Sequence, residues 1–374
     1  MKQYDVLAMF SGGLDSILAA KSVAAQGLAV LGLHFTSPFF GHPDKIAGWS
    51  ADYGLDIEAV DVGPEYVAMM DARPLHGVGK GLNPCVDCKI LMLARCRELL
   101  GVYGAKFIVT GEVKGQRPMS QRRDALDIIS RDAGVRDVLL RPLCAKTMKP
   151  TPMEESGLVD RERLHAFGGR TRKPQFRLAR ELGITKFPQP AGGCKLTEFE
   201  SAKRYVPVFM HARPATDADF HLANVGRQFW AGAHWMAMGR NREDNETLAR
   251  LARPGDRLLD VMGFPSPLGL VRALPGVDWN DAALSDAAAL LASYAPKAAA
   301  SGEPVQVLAR LVTDAGATGA GSPGETMPWP DGEDRVLTVA PSRATRLGLA
   351  DVDWEALIPV KKAMFGESQE DDGY

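Results

Sequence analysis

Three groups of residues in this chain have the types and spacing to do chemistry. The first is Ser11-Gly-Gly-Leu-Asp-Ser16. Its glycines let the backbone turn tightly and present several N–H groups to one anion, and its serines add hydroxyl donors. A helix starting there adds its positive end. The Walker lysine is missing, so this is not an ordinary P-loop. The second group is Cys85 and Cys88, spaced CxxC, with Cys194 far along the chain after Pro190-Ala-Gly-Gly. Thiolates are nucleophiles and soft metal ligands, and a helix N-terminus at the CxxC favours the thiolate. The third is a basic segment with Arg161, Arg163, Arg170, Arg172, Lys173, Arg177 and Arg180. Its charge suits the phosphates of a polyanion.

A scaffold must bring these groups together. Asp5 to Phe10 is a short apolar run leading into the glycines, as expected of a buried parallel strand. A helix follows over about Asp15–Ala25. Further strands are expected at Ala29–Phe35, Ile57–Val62, Phe107–Glu112 and Val138–Pro142, with a long helix over Cys88–Tyr103. Strands alternating with helices predict a parallel sheet covered on both faces, with its ligand at the carboxyl ends of the strands. Gln175–Leu182 reads as a helix entered through Pro174, and Lys186–Cys194 as a loop. After Pro207 the elements shorten and Trp230 and Trp235 enter, either as core or as stacking residues. Asn245–Leu251 reads as a short helix. Residues 301–334 are rich in Gly, Ala, Pro and Thr and read as a loop or linker. The acidic segment 367–374 reads as a disordered tail. The expected domains are therefore 1–206 and 207–366, followed by that tail.

Composition narrows the class. A chain of 374 residues, 45% hydrophobic, suggests two globular domains. The net charge of -2 excludes a globally basic protein, so any nucleic-acid contact must be local. Five cysteines, an odd number, do not read as a disulfide scaffold; Cys96 and Cys144 read as core. The start of the chain lacks the features of a signal peptide, and no apolar run reaches the roughly 18 residues of a span. A cytoplasmic protein with no membrane partner is expected. The sequence does not indicate an oligomeric state.

The hexapeptide Ser11–Ser16 resembles the SGGxDS signature of N-type ATP pyrophosphatases, the PP-loop class. The resemblance implies an α/β fold of the HUP (adenine nucleotide alpha hydrolase-like) type, ATP and Mg2+ as cofactors, and adenylation of a substrate oxygen. Two more segments, His34-Phe-Thr-Ser-Pro38 and Thr110-Gly-Glu-Val-Lys-Gly-Gln116 with Ser120-Gln121, resemble parts of the 4-thiouridine tRNA sulfurtransferases. This likeness implies that Met9, Phe10, His34, Phe35, Gly111 and Gln121 contact ATP beside Ser11, Gly12, Gly13, Asp15 and Ser16. Asp15 is the candidate for orienting the phosphate–Mg2+ end. Standing alone, His34 would read as a satisfied core histidine.

Asn83-Pro-Cys85-Val-Asp-Cys88-Lys89 resembles a segment of 2-thiouridine tRNA enzymes, and Ala191-Gly-Gly-Cys194 resembles cysteine positions of several tRNA thiolases. In iron–sulfur members three such cysteines hold a 4Fe-4S cluster whose open iron carries a sulfide; in others one cysteine carries a persulfide. The resemblance implies Cys85, Cys88 and Cys194 as catalytic residues and cluster ligands, with the persulfide form second and structural zinc third. The sulfur donor is sulfide or a cysteine desulfurase. No cysteine follows Cys194, so a rhodanese domain with its own persulfide cysteine is not expected.

Arg141-Pro-Leu-Cys-Ala-Lys146, Thr151-Pro-Met-Glu154 and Gly169-Arg-Thr-Arg-Lys-Pro-Gln175 are similar to a stretch that accompanies PP-loop tRNA thiolases. Asn224-Val-Gly-Arg227, Met238-Gly-Arg240-Asn-Arg-Glu-Asp-Asn-Glu246, Gly255-Asp256 and Pro265-Ser-Pro-Leu-Gly269 resemble the RNA-binding domain of NFACT proteins. Together these imply tRNA as partner, with Arg170, Arg172, Lys173, Arg177, Arg227 and Arg240 as contacts. The expectation is an ATP-dependent tRNA sulfurtransferase with a PP-loop domain followed by a smaller α+β domain. A PP-loop ligase or amidating enzyme and a non-catalytic RNA-binding protein are the rivals.

Overall fold

The computed structural model describes residues 2–79, 81–187, 193–313 and 330–366. The chain divides into two compact units. One is Met1–Glu198 with the residues from Met364 on; the other is Phe199–Ala363.

The first unit runs β1 (Val6–Met9), α1 (Leu14–Ala24), β2 (Val30–Thr36), α2 (Ile46–Tyr53), β3 (Asp56–Asp61), α3 (Gly63–Asp71), α4 (Cys85–Tyr103), β4 (Phe107–Val109), α5 (Arg123–Asp132), β5 (Leu139–Leu140), α6 (Pro152–Glu155) and α7 (Lys173–Glu181). Its five strands lie in the order β3-β2-β1-β4-β5, all parallel. The expected α/β sheet is present. β1 is central and covered on both faces. Val6, Ala8 and Phe10 pack against Ile17 and Leu18 of α1 and Leu178 of α7. Leu7 and Met9 pack on the other face with Leu33, Leu93 and Cys96. That double burial explains why the run is apolar without alternation. Cys96 and Cys144 are fully buried, as core residues.

Chain order reverses at β1, with β2 and β3 on one side and β4 and β5 on the other. Such a switch point opens a crevice at the carboxyl ends of the strands. Two boundaries differ from expectation there. α4 begins at Cys85, so both cysteines of the CxxC lie in its opening turns. β4 ends at Val109, because Thr110–Glu112 leave the sheet to press on α1.

The second unit runs α8 (Phe199–His211), α9 (Asp217–Ala223), β6 (Arg227–Ala231), β7 (His234–Met238), α10 (Arg242–Leu251), β8 (Arg257–Val261), β9 (Gly269–Arg272), α11 (Asp281–Ser293), α12 (Pro296–Ala300), β10 (Val305–Val312), β11 (Gly332–Val339) and α13 (Trp354–Phe365). Its sheet, in the order β11-β10-β8-β9-β7-β6, is antiparallel throughout. The division expected at 206/207 falls inside α8, which carries Pro207 without ending there. The loop expected over 301–334 is corrected at both ends: β10 and β11 pair from Val305↔Val339 to Val312↔Gly332. Val305, Val307 and Ala309 alternate into the core, a period that the Gly- and Pro-rich composition of 314–329 obscured. Those residues, like 188–192 of the expected loop and the tail 367–374, lie outside the described residues. Trp230 and Trp235 stack at 4.8 Å and are buried, so both are core. No described helix is long and apolar enough to cross a membrane.

A buried charge cluster fixes this second sheet. Arg272 and Asp256 are both fully buried and lie 3.1 Å apart. Asp256 also accepts from the N–H groups of Arg253 and Ala273. Asp219 caps α9 through Thr216 and pairs with Arg253 at 3.1 Å. Removing one partner strands the other as an unpaired buried charge. Arg272→Leu is therefore expected to lower stability by about 3–5 kcal/mol, read as a shift in the urea midpoint. An unchanged midpoint would refute this account of the cluster.

Candidate functional site

The phosphate loop is built by β1 and closed by β4. Ser16 Oγ donates to the Gly13 carbonyl at 2.8 Å and lies 3.2 Å from Ser11 Oγ. Ser16 Oγ also accepts from the Ser11 N–H. α1 starts at Gly13 without a side-chain cap, leaving its first N–H groups for another acceptor. Gly12 has a φ of +76°, and a Cβ there would come within 2.4 Å of the Trp49 ring. Gly111 meets backbone instead of a side chain: a Cβ would lie 2.5 Å from the Asp15 carbonyl carbon and oxygen. Only glycine allows that approach.

Asp15 Oδ2 accepts from Gln116 Nε2 at 2.6 Å, while its buried Oδ1 has no partner. Gln116 Oε1 in turn accepts from Gln175 Nε2 at 2.9 Å, and Gln175 is fully buried on α7. Arg172, at the N-cap of α7, lies 3.9 Å from Asp15 Oδ2. A carboxylate oxygen without a donor beside free helix N–H groups suits a divalent cation on a phosphate ligand. The structure thus brings Ser11, Gly12, Gly13, Asp15, Ser16 and Gly111 together. Gln121 is buried, with Oε1 unpartnered and its carbonyl accepting from Gly115.

Met9, Phe10 and Phe35 are buried strand-end residues. His34 is also buried, and both ring nitrogens are committed. Nδ1–H donates to the Phe10 carbonyl at 2.9 Å, and Nε2 accepts from the His42 N–H at 2.8 Å. Burial lowers its pKa, which fits this neutral tautomer. His34 therefore holds the loop's entry and the 37–42 turn through backbone groups. Glu112 follows Gly111 and pairs with Arg141 at 2.9 Å, both buried. Burial alone would raise the Glu112 carboxyl; Arg141, with Lys89 and Thr110, outweighs it and holds the carboxyl below its ordinary value.

The three predicted cysteines meet around Tyr66. Cys85, Cys88 and Cys194 all act electrostatically on its hydroxyl, and Cys85 and Cys88 act on Cys194. Cys194 reaches this place because Lys195 N–H donates to the Phe39 carbonyl and Leu82 N–H to the Leu196 carbonyl. Asn83 Nδ2 donates to Cys85 Sγ at 3.2 Å. The expected thiolate is corrected for two of them. Burial pushes Cys88 up to about 11 despite Lys89 and Tyr66, and pushes Cys194 up to about 12, with Cys88 adding to the rise. Desolvation outweighs the helix end. As a donor set, three soft sulfurs with no fourth cysteine fit an iron–sulfur cluster in kind. Among the described residues, no group of three or more Cys, His, Asp or Glu is placed to hold a metal ion.

The basic residues sort differently. Arg161 is consumed by structure, pairing with Glu154 and donating to the Ala145 and Met148 carbonyls. Arg170, Lys173, Arg177 and Arg180 are exposed. In the second unit Arg227 donates to the Gly239 carbonyl and lies over the Tyr294 ring at 5.1 Å. Arg240 is half exposed and paired with Asp244 at 2.8 Å. Sequence reasoning missed Trp49, Tyr66 and Gln175 as site residues. Gln116 and Gln175 end quoted motifs, but nothing in the sequence pairs them across 59 positions.

Residues 1–149 match the family model of ThiI, described as a thiamine biosynthesis protein. The match lies within the first unit. The match includes the phosphate loop, Gly111, Cys85 and Cys88, and stops short of α7 and Cys194. A probable tRNA sulfurtransferase of Thermococcus kodakarensis is 30% identical over 148 residues, covering 38% of this chain and 37% of that relative. The chain thus spans little more than a third of the length of the curated relative it matches. Two solved structures are similar at lower identity. The C-terminal part of the fibronectin/fibrinogen-binding protein from Streptococcus suis is 15% identical with a TM-score of 0.26, covering 46% of this chain and 76% of that chain. A predicted subunit of tRNA methyltransferase from Methanocaldococcus jannaschii is 14% identical with a TM-score of 0.27, covering 37% and 68%. TM-scores this low define no shared fold.

A crevice floored by the Glu112–Arg141 pair should depend on pH. A carboxyl that folding holds down lends stability that is full above its ordinary pKa, about 4.3, and lost as pH falls through the folded value. Glu112→Gln is expected to cost about 3 kcal/mol at pH 7. Its stability should converge with that of the unsubstituted protein below pH 4 or so. Denaturant titrations across pH 3–7 that run parallel would contradict the pairing.

Proposed function

We propose that this chain is an ATP-dependent tRNA sulfurtransferase, whose first unit adenylates a uridine carbonyl oxygen and replaces that oxygen with sulfur. The observation that carries the reading is the turn 37–42 after β2, which touches both chemistries. Its His42 N–H is held by His34 beside the phosphate loop, and its Phe39 carbonyl anchors Lys195 next to Cys194. α4 precedes β4 in a parallel sheet, so its N-terminus with Cys85 and Cys88 faces the same carboxyl edge.

The steps follow from the residues. ATP seats its phosphates on the N–H groups of Gly12, Gly13 and the first turn of α1, with Ser11 and Ser16 as hydroxyl donors. Met9, Phe10, His34, Phe35, Gly111 and Gln121 line the nucleoside end. Asp15 Oδ1 would be the ligand for Mg2+, which would neutralise phosphate charge when bound, and Gln116 fixes the carboxylate's rotation. The uridine oxygen attacks the α-phosphorus, forming an O–P bond as the bond to pyrophosphate breaks. Sulfur then attacks the activated carbon, the C–O bond breaks, and AMP leaves with the oxygen. Cys85, Cys88 and Cys194 bring the sulfur. A 4Fe-4S cluster held by them would supply a bound, nucleophilic sulfide when present; a persulfide on one of them is the second form. Sulfide would replenish the cluster-bound form, and a cysteine desulfurase, which hands on sulfane sulfur, the persulfide form.

The outer face of α7, with Lys173, Arg177 and Arg180, meets tRNA phosphates, joined by Arg170. Arg172 on the inner side links that face to Asp15. The second unit is an NFACT-type RNA-binding module in which Arg227 and Arg240 contribute. An amidating enzyme would have no use for the cysteines, and a binding protein no use for Asp15.

One set of variants separates the halves of the reaction. Asp15→Asn should reduce tRNA-dependent ATP–pyrophosphate exchange by roughly a hundredfold. Cys194→Ala should keep that exchange, yield no thiolated nucleoside, and lack visible charge-transfer absorbance after anaerobic reconstitution with iron and sulfide. Thiolation that survives Cys194→Ala sinks the sulfur assignment. For the RNA face, Arg177→Ala should flatten the plot of log affinity for tRNA against log salt by about one unit. An unchanged slope would take α7 out of the interface.

A further inference from the structure

The cysteine region holds one buried polar group that no step above uses. Tyr66, on α3, is fully buried. Its ring is set edge-on or tilted against Phe40 at 5.1 Å and Phe39 at 5.5 Å. Its hydroxyl oxygen closes no hydrogen bond at ordinary geometry. The groups that act on that hydroxyl are Cys88, Cys194 and Cys85, and only the interaction with Cys88 has hydrogen-bond character. A phenol is first of all a donor, and its best acceptor carries negative charge. Folds rarely leave such a donor buried and unmet unless something not part of the chain completes it.

The surroundings narrow what that something is. The Asn83 amide is already committed to two sulfurs, Cys85 Sγ at 3.2 Å and Met119 Sδ at 3.5 Å. The aromatic frame of Phe39 and Phe40 excludes a large or strongly hydrated ligand. What three thiols can carry beside such a hydroxyl is a small, polarisable sulfur acceptor.

We propose that the Tyr66 hydroxyl is the hydrogen-bond donor to the transferable sulfur carried among Cys85, Cys88 and Cys194. The assignment rests on the sulfur-carrying reading above. Tyr66 is a positioning residue: it forms no bond to substrate and holds the sulfur in place until transfer. The ring keeps the packing, so Tyr66→Phe removes the oxygen alone.

The test uses the full chain, unsubstituted and as Tyr66→Phe, each exposed anaerobically to inorganic polysulfide and then desalted. Cyanide-labile sulfur is counted over time, and the melting temperature of the unloaded protein is recorded. Both proteins should load to the same level. Tyr66→Phe should surrender its sulfur to cyanide roughly three- to tenfold faster, the loss of one charge-assisted hydrogen bond. Unloaded Tyr66→Phe should melt no lower than the unsubstituted protein, because the hydroxyl closes no hydrogen bond of ordinary geometry there and meets the buried Cys88 only weakly. Equal release rates overturn the proposal, and so does a lower melting temperature, which would make the hydroxyl a structural group. If the unsubstituted protein holds no more labile sulfur than a variant with Cys85, Cys88 and Cys194 all changed to Ala, the cysteines carry no sulfane sulfur and the inference falls, while the cluster form of the reading is judged by its own absorbance test.

Discussion

The first unit is organised around a backbone contact, the seating of Gly111 against the Asp15 carbonyl. The hydrogen bonds inside the phosphate loop are modest, between 2.8 and 3.4 Å, and chiefly serine to backbone. Such bonds shape a turn but do not immobilise it against the sheet. The end of β4 does that by filling the space a side chain would occupy. With the first turn of α1 clamped, Asp15 meets Gln116, and Gln116 meets Gln175 on α7. A helix distant in sequence thereby becomes part of the wall of the phosphate site. The same clamp explains why β4 is short: Thr110–Glu112 serve the loop and the buried Arg141 rather than the ladder.

A second economy of construction lies in the turn after β2. His34 is often the sort of residue assigned to ligand or proton work, yet here both nitrogens hold backbone. The turn so fixed lends its Phe39 carbonyl to the strand-like entry of Cys194 and its two phenylalanine rings to the box around Tyr66. The cysteine region and the Ser11–Ser16 loop are thus joined through six residues of chain. The cysteines sit in a setting that keeps at least Cys88 and Cys194 as neutral thiols when nothing is bound. Loading the site therefore has to supply a partner that stabilises sulfur anion, which is a different demand from the exposed helix-end thiolate that spacing alone suggests.

What could be read from sequence was local. The apolar run before Ser11 and the glycines after it are consecutive, and a buried strand entering a helix leaves few other patterns. CxxC is likewise a local spacing, and its helix was displaced by only one turn. Pairings that depend on topology left no trace: Gln116 with Gln175, Trp49 with Gly12, and Tyr66 with three cysteines from two segments. Composition misled where two eight-residue strands flank a glycine-rich stretch, since β10 and β11 pair across it. Trp230 and Trp235 show the limit from the other direction. Tryptophan fits both a core and a stacking surface, and only their burial separates the two.

Trp49 has one more property. It is the sole tryptophan among the first 198 residues, the other five of the chain's six lying beyond them. Its indole leans on Gly12, 5.0 Å from the His34 ring and 5.7 Å from Phe10. A half-buried fluorophore resting on the glycine loop would report a change in that loop's surroundings through its own emission, with no label attached.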